Sequence, residues 1–384
     1  MVGPHVTDDA PPSEHLAVTG LDEWSHRCST AYVPLEVDAD GDFRGALRVR
    51  DLGPLGVSQV GATPSVVRRT ARRVAADPRE SVLLSVFLQG STVVAQHGRA
   101  GPVAPGGGYL LASDQPYGIR LQSPTDILIL RVPRTLAGLG PATLREIAGR
   151  VLPPDTGEID VLGRELAAAL LHGAGAGAGR QELLVDLLRA VTHRMRYGDR
   201  SRPYLSGAAL WASARWYVER HHGDPGLGVE ELAARFMVSR RHLEQQFARR
   251  GTTPAAYLRQ VRAESARRLL LADRTATVEH IAHTAGFTGV DTFIRAFRRR
   301  HGQTPADWRR QQPGRGVVAT PLPPQTAELL SDLHRLAAPA DAPFLAPPGH
   351  EKRSTPTSRS LERDDAGSPG LVMKGDGPGP RRTR

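Results

Sequence analysis

Two stretches of this chain repeat one pattern: VEELAARFMVSRRHLEQQF at residues 229–247 and VEHIAHTAGFTGVDTFIRAF at residues 278–297. Each stretch begins with a short segment of helical apolar periodicity, with acidic residues in its first turn that complement the helix dipole. A turn and a second amphipathic segment follow, and then a Thr-Pro pair and an aromatic residue. Because matching residue types recur about fifty residues apart, the pattern predicts an all-α domain with two helix-turn-helix units.

Hydroxyl side chains mark the predicted start of the second helix in each unit. Ser239 stands at the N-cap position of the first unit, and Thr288 at that of the second, with Asp291 three residues later as a capping partner. Ser239 and Thr288, with the backbone amides at the helix N-termini, also suit phosphate contacts. Gly286 supplies the permissive backbone that a tight turn between two helices favours.

Apolar residues four apart fix the buried face of the two second helices. Leu243 and Phe247 should face the core in the first unit, as should Phe293 and Phe297 in the second. The opposite face presents Arg240, Arg241, Glu244, Gln245 and Arg249 in the first unit and Asp291, Thr292, Arg295 and Arg299 in the second. Helix-turn-helix proteins contact the edges of bases with the first turns of this helix. Each of these residue types can bind either a base edge or the methyl group of thymine.

Charge and spacing favour duplex DNA as the partner of this domain. From Gly207 to Arg310 the chain has 18 Arg, no Lys and 10 Asp or Glu, which accounts for most of the net charge of +10. Such an excess predicts a polyanionic partner, because Arg neutralises phosphates with release of counterions. Between the copies, residues 254–271 predict one helix of about 27 Å at 1.5 Å per residue. With its flanking helices it approaches the roughly 34 Å between successive major-groove faces, so both units can lie on one face of DNA.

These features together resemble the DNA-binding domain of the AraC/XylS family. The resemblance covers about a hundred residues: the two copies, the joining helix, and Gly286-Phe287 through Phe293, Arg295, Phe297, Gly302, Thr304-Pro305 and Trp308-Arg309. It implies base contacts from Arg241, Glu244 and Gln245 in the first unit and from Asp291, Thr292 and Arg295 in the second. Contacts to phosphate, or positioning of the helices, are expected from Ser239, Arg240, Arg249, Thr288 and Arg299. The first unit departs from the family at Met237, a turn position that members often fill with a small residue or Gly.

The N-terminal half has a different pattern, with short apolar runs separated by Gly and Pro. The runs that predict strands are Gly45–Val49, Leu55–Val60, Val82–Leu88, Thr92–Gln96, Tyr109–Leu111 and Ile127–Val132. Many short strands between turn signals predict an antiparallel sandwich or jelly-roll barrel. The segment Val66–Asp77, which carries four Arg, is expected to be a short helix.

This half also resembles, more loosely, the cupin-like regulatory domain of a subgroup of AraC/XylS regulators. The residues that carry the resemblance are 67–70, 82–90, 96–99, 105–106 and 116–117. It implies a barrel that senses a small-molecule effector or a partner and helps the protein dimerise, and it leaves the effector-binding residues unknown. The open alternatives are a cupin-type enzyme fused to DNA-binding helices and a dimerisation module without a ligand.

Catalytic and metal-binding patterns do not occur in this half. A metal-dependent cupin needs several convergent His and carboxylate ligands, whereas His97 stands isolated and no His-x-His occurs. Cys28, Ser113 and Ser123 have no base at motif spacing, so we expect no catalysis, metal or cofactor. As the single cysteine, Cys28 also excludes an intrachain disulfide and is expected to be a buried thiol.

A helical region follows the predicted barrel. Leu183, Leu184, Leu187, Leu188, Val191 and Met195 recur at helical spacing and form one apolar stripe. The stripe can pack inside the chain or against a second subunit, and its place after a sensing domain slightly favours a dimer surface. The predicted division is a disordered N-terminus at 1–15, a cupin-like regulatory and dimerisation domain at 16–195, a linker at 196–204, the DNA-binding domain at 205–312 and a mostly disordered tail at 313–384.

The sequence therefore predicts an α+β multidomain regulator that binds double-stranded promoter DNA as a homodimer. An effector or partner at the N-terminal domain is expected to control it. Activation through contact with RNA polymerase is the commoner mode that the resemblance implies, and repression stays open. The N-terminus lacks the layout of a signal peptide, and no run approaches the roughly 20 apolar residues of a membrane span, so we expect a cytoplasmic protein without a membrane partner.

Overall fold

The computed structural model describes residues 14–154, 156–171, 177–198, 203 and 205–311. Residues 1–13 of the predicted disordered N-terminus, most of the predicted linker and the predicted tail at 313–384 lie outside the described residues. Within the described ranges an antiparallel sheet domain precedes a helical domain, which confirms the predicted α+β architecture.

The N-terminal domain contains two antiparallel sheets. Its strands are β1 (Glu14–Val18), β2 (Glu36–Asp38), β3 (Gly45–Leu52), β4 (Leu55–Ala62), β5 (Ser65–Arg69), β6 (Ser81–Gln89), β7 (Thr92–Gln96), β8 (Arg99–Val103), β9 (Gly108–Ala112), β10 (Tyr117–Leu121), β11 (Thr125–Pro133) and β12 (Val151–Leu152). The larger sheet has the strand order β1-β3-β4-β11-β6-β9-β12, and the smaller has the order β2-β5-β10-β7-β8. One apolar core lies between the two sheets.

The larger sheet is apolar on both faces. On β6, Leu83 and Phe87 belong to the core between the sheets, whereas Leu84 belongs to a second core on the opposite face. On β11, Ile127 and Leu128 divide in the same way, because successive side chains leave a strand on opposite faces. A strand buried on both faces needs a continuous apolar run. Five of the six predicted strands lie in this sheet, and the sixth corresponds to β7.

The segment Val66–Asp77, predicted to be a short helix, is helical only in its second half. β5 runs through Arg69, and helix α2 (Ala71–Ala76) begins after Thr70, whose Oγ1 accepts a hydrogen bond from Arg73 N at 3.4 Å. The guanidinium of Arg69 is buried and donates to three backbone carbonyl oxygens at 2.6 to 2.7 Å. These contacts stabilise the strand against the local helical signal.

Helices cover the outer face of the larger sheet. They are α3 (Arg134–Ala137), α4 (Pro141–Ile147), α5 (Gly157–Leu171) and α6 (Gly177–Tyr197). Five of the six stripe residues are buried in the core between these helices and the sheet: Leu184, Leu187, Leu188, Val191 and Met195. Leu183 is half-buried and packs against the same core. The expectation that this stripe forms a dimer surface is therefore wrong, because the second apolar face of the sheet covers it within the chain.

Helix α1 (Leu21–Ala31) has no counterpart among the predicted elements and contributes to the core between the sheets. Its Trp24 and Cys28 are buried, which confirms the expected buried thiol. Burial disfavours the thiolate and raises the pKa of Cys28 to about 12.

Seven helices follow in the described part of the C-terminal region. They are α7 (Gly207–His221), α8 (Val229–Arg235), α9 (Arg240–Ala248), α10 (Pro254–Ala272), α11 (Val278–Thr284), α12 (Val290–His301) and α13 (Pro305–Gln311). One core holds α8 and α9 together, and a separate core holds α11 and α12. Helix α7 belongs to two cores, since Ala209 and Ala212 pack with the N-terminal domain whereas Leu210 and Val218 pack with the first helix-turn-helix unit.

Candidate nucleic-acid interface

The first unit begins its second helix where the sequence predicts. Ser239 caps α9, and its Oγ accepts a hydrogen bond from His242 N at 3.2 Å. Leu243 and Phe247 are fully buried, and the Phe247 ring packs edge-on against Trp211 with the ring centroids 4.6 Å apart. Burial of this face leaves the polar face of α9 toward solvent.

The second unit begins its second helix one residue later than expected. The N-cap of α12 is Gly289, with extended backbone and no side-chain hydrogen bond. The prediction that Thr288 caps this helix with Asp291 as its partner is therefore wrong, and Asp291 instead lies in the first turn of α12. Phe293 and Phe297 are fully buried, so the predicted inner face is confirmed.

Both turns have the same backbone hydrogen bonds. After α11, Gly286 N donates to His283 O and Phe287 N donates to Ala282 O, both at 2.9 Å. After α8, Met237 N and Val238 N donate to Ala234 O and Ala233 O, both at 3.1 Å. This pair of bonds is the Schellman arrangement, which requires a left-handed residue. Gly286 meets that requirement at φ 87°, and Met237 adopts the same region at φ 51°.

The two turns differ in how much space surrounds the left-handed residue. A Cβ on Gly286 would lie 2.0 Å from His222 O, so only glycine fits there. Met237 is 65% exposed, so its side chain extends into solvent. The departure of Met237 from the family pattern therefore leaves the turn geometry unchanged.

The outer faces of α9 and α12 carry the predicted contact residues. Exposed residues are Ser239, Arg240, Arg241, Gln245 and Arg249 in the first unit and Thr288, Asp291, Thr292, Arg295 and Arg299 in the second. Glu244 is half-buried. Each unit thus exposes a polar face that begins in the first turn of its second helix.

Arg240 is held by carboxylates within the first unit. Its Nη1 donates to Glu230 Oε1 and its Nε donates to Glu244 Oε1, each at 2.8 Å. The two hydrogen bonds raise the pKa of Arg240, Glu244 contributing more than Glu230. Arg240 therefore joins α8 to α9 across the turn.

The C-terminal end of α12 is more basic than predicted. Arg298 and Arg300 are exposed beside Arg299 in the last turn, where positive charge complements the helix dipole. Arg299 alone was predicted to contact DNA here, although the run of three Arg at 298–300 is a signal in the sequence for the whole basic end.

Arg262 on the joining helix α10 has a structural role that sequence reasoning missed. It is buried, its Nε donates to His222 O at 2.9 Å, and its Nη2 donates to Asp224 O at 2.7 Å and Leu227 O at 3.1 Å. Burial lowers the pKa of Arg262. His222 O also faces Gly286, so Arg262 fastens the end of α7 to the joining helix beside the second turn.

Glu219 connects the two domains. Its Oε2 accepts a hydrogen bond from Arg164 of α5. Its Oε1 accepts a hydrogen bond from Tyr257 OH of α10 at 2.5 Å, and Arg215 Nε lies 3.3 Å from the same oxygen. The side chains of Arg164 and Glu219 are 8% and 10% exposed, which makes this a buried ion pair. Its position on α7 places it between the N-terminal domain and the first unit.

No group of three or more His, Cys, Asp or Glu within the described ranges is placed to hold a metal ion. No helix in the same ranges has both the length and the apolar character that crossing a membrane requires.

The two regions correspond to known domain families. Residues 232–311 match the family described as a helix-turn-helix domain, and residues 24–195 match the AraC-binding-like domain. The chain belongs to the AraC/XylS family of transcription regulators. As an AraC/XylS member with a helix-turn-helix domain, it is a DNA-binding transcription regulator.

Similar proteins carry names of the same kind. The transcriptional activator NphR of Rhodococcus sp. is 29% identical over 278 residues, which span 68% of this chain and 79% of NphR. The transcriptional activator RhrA of Rhizobium meliloti is 33% identical over 100 residues, 26% of this chain and 32% of RhrA. The crystal structure of the AraC-like transcriptional activator CuxR is 18% identical and covers 73% of this chain and 99% of CuxR, with a TM-score of 0.42.

Proposed function

We propose that α9 and α12 enter two adjacent major-groove segments of promoter DNA and read their sequence. One observation carries this proposal: the two helices repeat a single geometry, each following a Schellman turn, burying its apolar face and exposing polar residues in its first turns. Helix-turn-helix proteins place these turns against base edges. Helix α10, which joins the units, is 19 residues long and spans about 28 Å, a length of the order of the groove repeat.

The exposed residues divide into two roles. Arg241 and Arg295 can each donate to O6 and N7 of guanine, and Gln245 can pair with adenine. Glu244 and Asp291 can accept from cytosine, and Thr292 can contact the methyl group of thymine. Phosphate contacts or positioning come from Ser239, Arg240, Arg249, Thr288 and Arg299. Arg240 acts mainly by positioning, because its guanidinium already binds two carboxylates.

An effector or partner at the N-terminal domain controls the placement of the first unit through α7. This helix packs in the core of the N-terminal domain and in the core of the first unit. Glu219 adds a buried ion pair to α5 and a hydrogen bond to α10. A change in the position of α5 therefore requires either α7 to follow or the ion pair to break.

The regulator acts on transcription as an activator, the role that NphR and RhrA are named for. We place it in the cytoplasm as a homodimer that contacts RNA polymerase, and it works by binding rather than by catalysis. The stripe on α6 is buried within the chain, so the dimer forms through another surface.

Selection of bound sequences from random duplex DNA tests the proposal. The full chain is compared with Arg241→Ala and Arg295→Ala at fixed salt, because affinity for DNA depends steeply on salt. The proposal predicts a bipartite motif, with its two parts about one helical turn apart and one part weakened by each variant. Salt-sensitive binding without an enriched sequence would contradict it.

A further inference from the structure

The N-terminal domain contains a cavity of about 70 Å³ between its two sheets. Trp24 and Cys28 of α1 form part of its wall, and Tyr109 and Tyr117 face it from different sheets. The wall is almost entirely apolar, and among the described residues that line it none is charged. Such a cavity favours an apolar occupant, because an apolar surface gives no hydrogen bonds to trapped water.

The polar groups around the cavity differ in whether they have a partner. Tyr32 OH is hydrogen-bonded to Ser58 Oγ at 2.5 Å, and Tyr109 is hydrogen-bonded to Ser85. Ser65 Oγ has no hydrogen-bond partner among the described residues, although Ser65 is 5% exposed. A buried hydroxyl without a partner is costly, so a ligand that bonds to it recovers that loss.

The buried charge of Arg69, beside the cavity wall, does not serve an anionic ligand. Arg69 lies next to Tyr117 in the neighbouring strand, but its Nε, Nη1 and Nη2 already donate to backbone carbonyl oxygens. A carboxylate or ammonium group in the cavity would be buried without an opposite charge, at a large cost in free energy. The wall therefore selects against charged ligands.

The volume limits the size of the ligand. A cavity of roughly 150 Å³ lined by apolar side chains holds benzene. This cavity has about 70 Å³, so a single ring is the upper limit of size and requires the wall to move outward. Helix α1, which supplies Trp24 and Cys28, forms a wall from outside the two sheets and is the element that such movement would involve.

We infer that this cavity binds a small, uncharged, ring-sized molecule with one hydroxyl or carbonyl group, which hydrogen-bonds to Ser65 Oγ. The inference rests on the proposed function, in which an effector acts at the N-terminal domain, and it names the chemical class of that effector. The side chains of Trp24, Tyr109 and Tyr117 supply the apolar contact, and Ser65 fixes the orientation of the ligand.

Calorimetric titration of the full chain tests the inference with four probes of similar size. Phenol and cyclohexanol are uncharged at neutral pH, whereas benzoate is anionic and benzylamine is cationic. We expect phenol and cyclohexanol to bind at least tenfold more tightly than either charged probe. Equal binding of benzoate or benzylamine, or no binding of either neutral probe, overturns the inference.

Two variants and a matched control place the bound probe. Ala62→Leu fills part of the cavity and should abolish phenol binding. Ala112→Leu makes the same change at an equally buried position that faces the other core, so it should leave phenol binding within twofold. Ser65→Ala should weaken phenol binding about fivefold to tenfold through the lost hydrogen bond. If both Ala62→Leu and Ser65→Ala leave phenol binding unchanged, the assignment of the probe to this cavity is overturned.

DNA selection with the same preparations separates the two proposals. If a sequence motif is enriched and no neutral probe binds, only the cavity inference fails. If no motif is enriched, the proposed regulator function fails whatever the probes do.

Discussion

The two helix-turn-helix units have the same turn geometry but differ in charge and in how they are held. Helix α9 contains two Arg and one Glu, whereas α12 contains four Arg and one Asp. The first unit shares α7 with the N-terminal domain and is fastened by the buried pair of Arg164 and Glu219. The second unit packs around α10 and has its own core.

This difference indicates a division of labour. The first unit has a less basic recognition helix, in which Arg240 is paired with Glu230 and Glu244. It also has a direct connection to the regulatory domain, so its placement is the quantity that an effector can change. The second unit has free positive charge at the end of α12, which favours affinity for the phosphate backbone. Regulation and affinity would therefore depend on different units.

Breaking the connection of the first unit should have the largest effect. Glu219→Gln leaves Arg164 buried without its opposite charge, and we expect it to lower the free energy of unfolding by about 3–5 kcal/mol. The matched control is Glu264→Gln, which removes a partly exposed ion pair with Arg267 on α10 and should cost less than about 1 kcal/mol. Denaturant unfolding followed by tryptophan fluorescence measures both. Equal losses in the two variants would contradict a special role for Glu219.

The two turns should respond oppositely to exchange of their left-handed residues. Gly286→Ala adds a Cβ against His222 O and should cost about 3 kcal/mol or more. Met237→Gly relieves a left-handed non-glycine residue and should stabilise the chain by up to about 1 kcal/mol. Gly289→Ala is the control, because the backbone there is extended and nothing lies within 4 Å of the added Cβ. A stabilising Gly286→Ala would show that this turn is not crowded.

The two hydroxyl residues before the recognition helices should differ in their effect on stability. Ser239→Ala removes the cap of α9 and should cost about 1 kcal/mol. Thr288→Ala should have an effect within about 0.5 kcal/mol, because Gly289 and not Thr288 is the N-cap of α12. Thermal unfolding of the two variants side by side measures the difference, and equal losses would restore Thr288 as a cap.

The smallest expected difference lies in the salt dependence of DNA binding. Arg299→Ala should reduce the slope of log affinity against log salt by about 1, as the loss of one phosphate contact does. Arg240→Ala should change the slope by less than half as much, since its guanidinium is already bound to Glu230 and Glu244. Titrations at several salt concentrations give both slopes, and a larger change for Arg240→Ala would reverse the assignment.

The extent to which sequence predicted structure also differs between regions. The repeat predicted both recognition helices and their buried aromatic faces, because helical periodicity and capping residues are local signals. The start of α12 was misplaced by one residue, since a hydroxyl side chain at Thr288 and an extended Gly289 are equally compatible with a cap.

In the N-terminal domain, the strands that were predicted are mainly those buried on both faces. β5 and β10 have more polar, half-exposed residues, and their register depends on partners that are distant in sequence. Tertiary contacts also determine the burial of the stripe on α6, the burial of Arg262 and the ion pair at Glu219. None of these has a local signature, because each depends on which element packs alongside.

The central claim is that α9 and α12 each read a separate half of one DNA site. Fluorescence anisotropy with the selected operator, and with operators in which either half is scrambled, tests it as a set of double-mutant cycles. Arg295→Ala should cost about 1–3 kcal/mol on the intact site and almost nothing further once its own half is scrambled, and Arg241→Ala should do the same at the other half. Equal losses for both variants on every duplex would show nonspecific phosphate contacts and contradict the account.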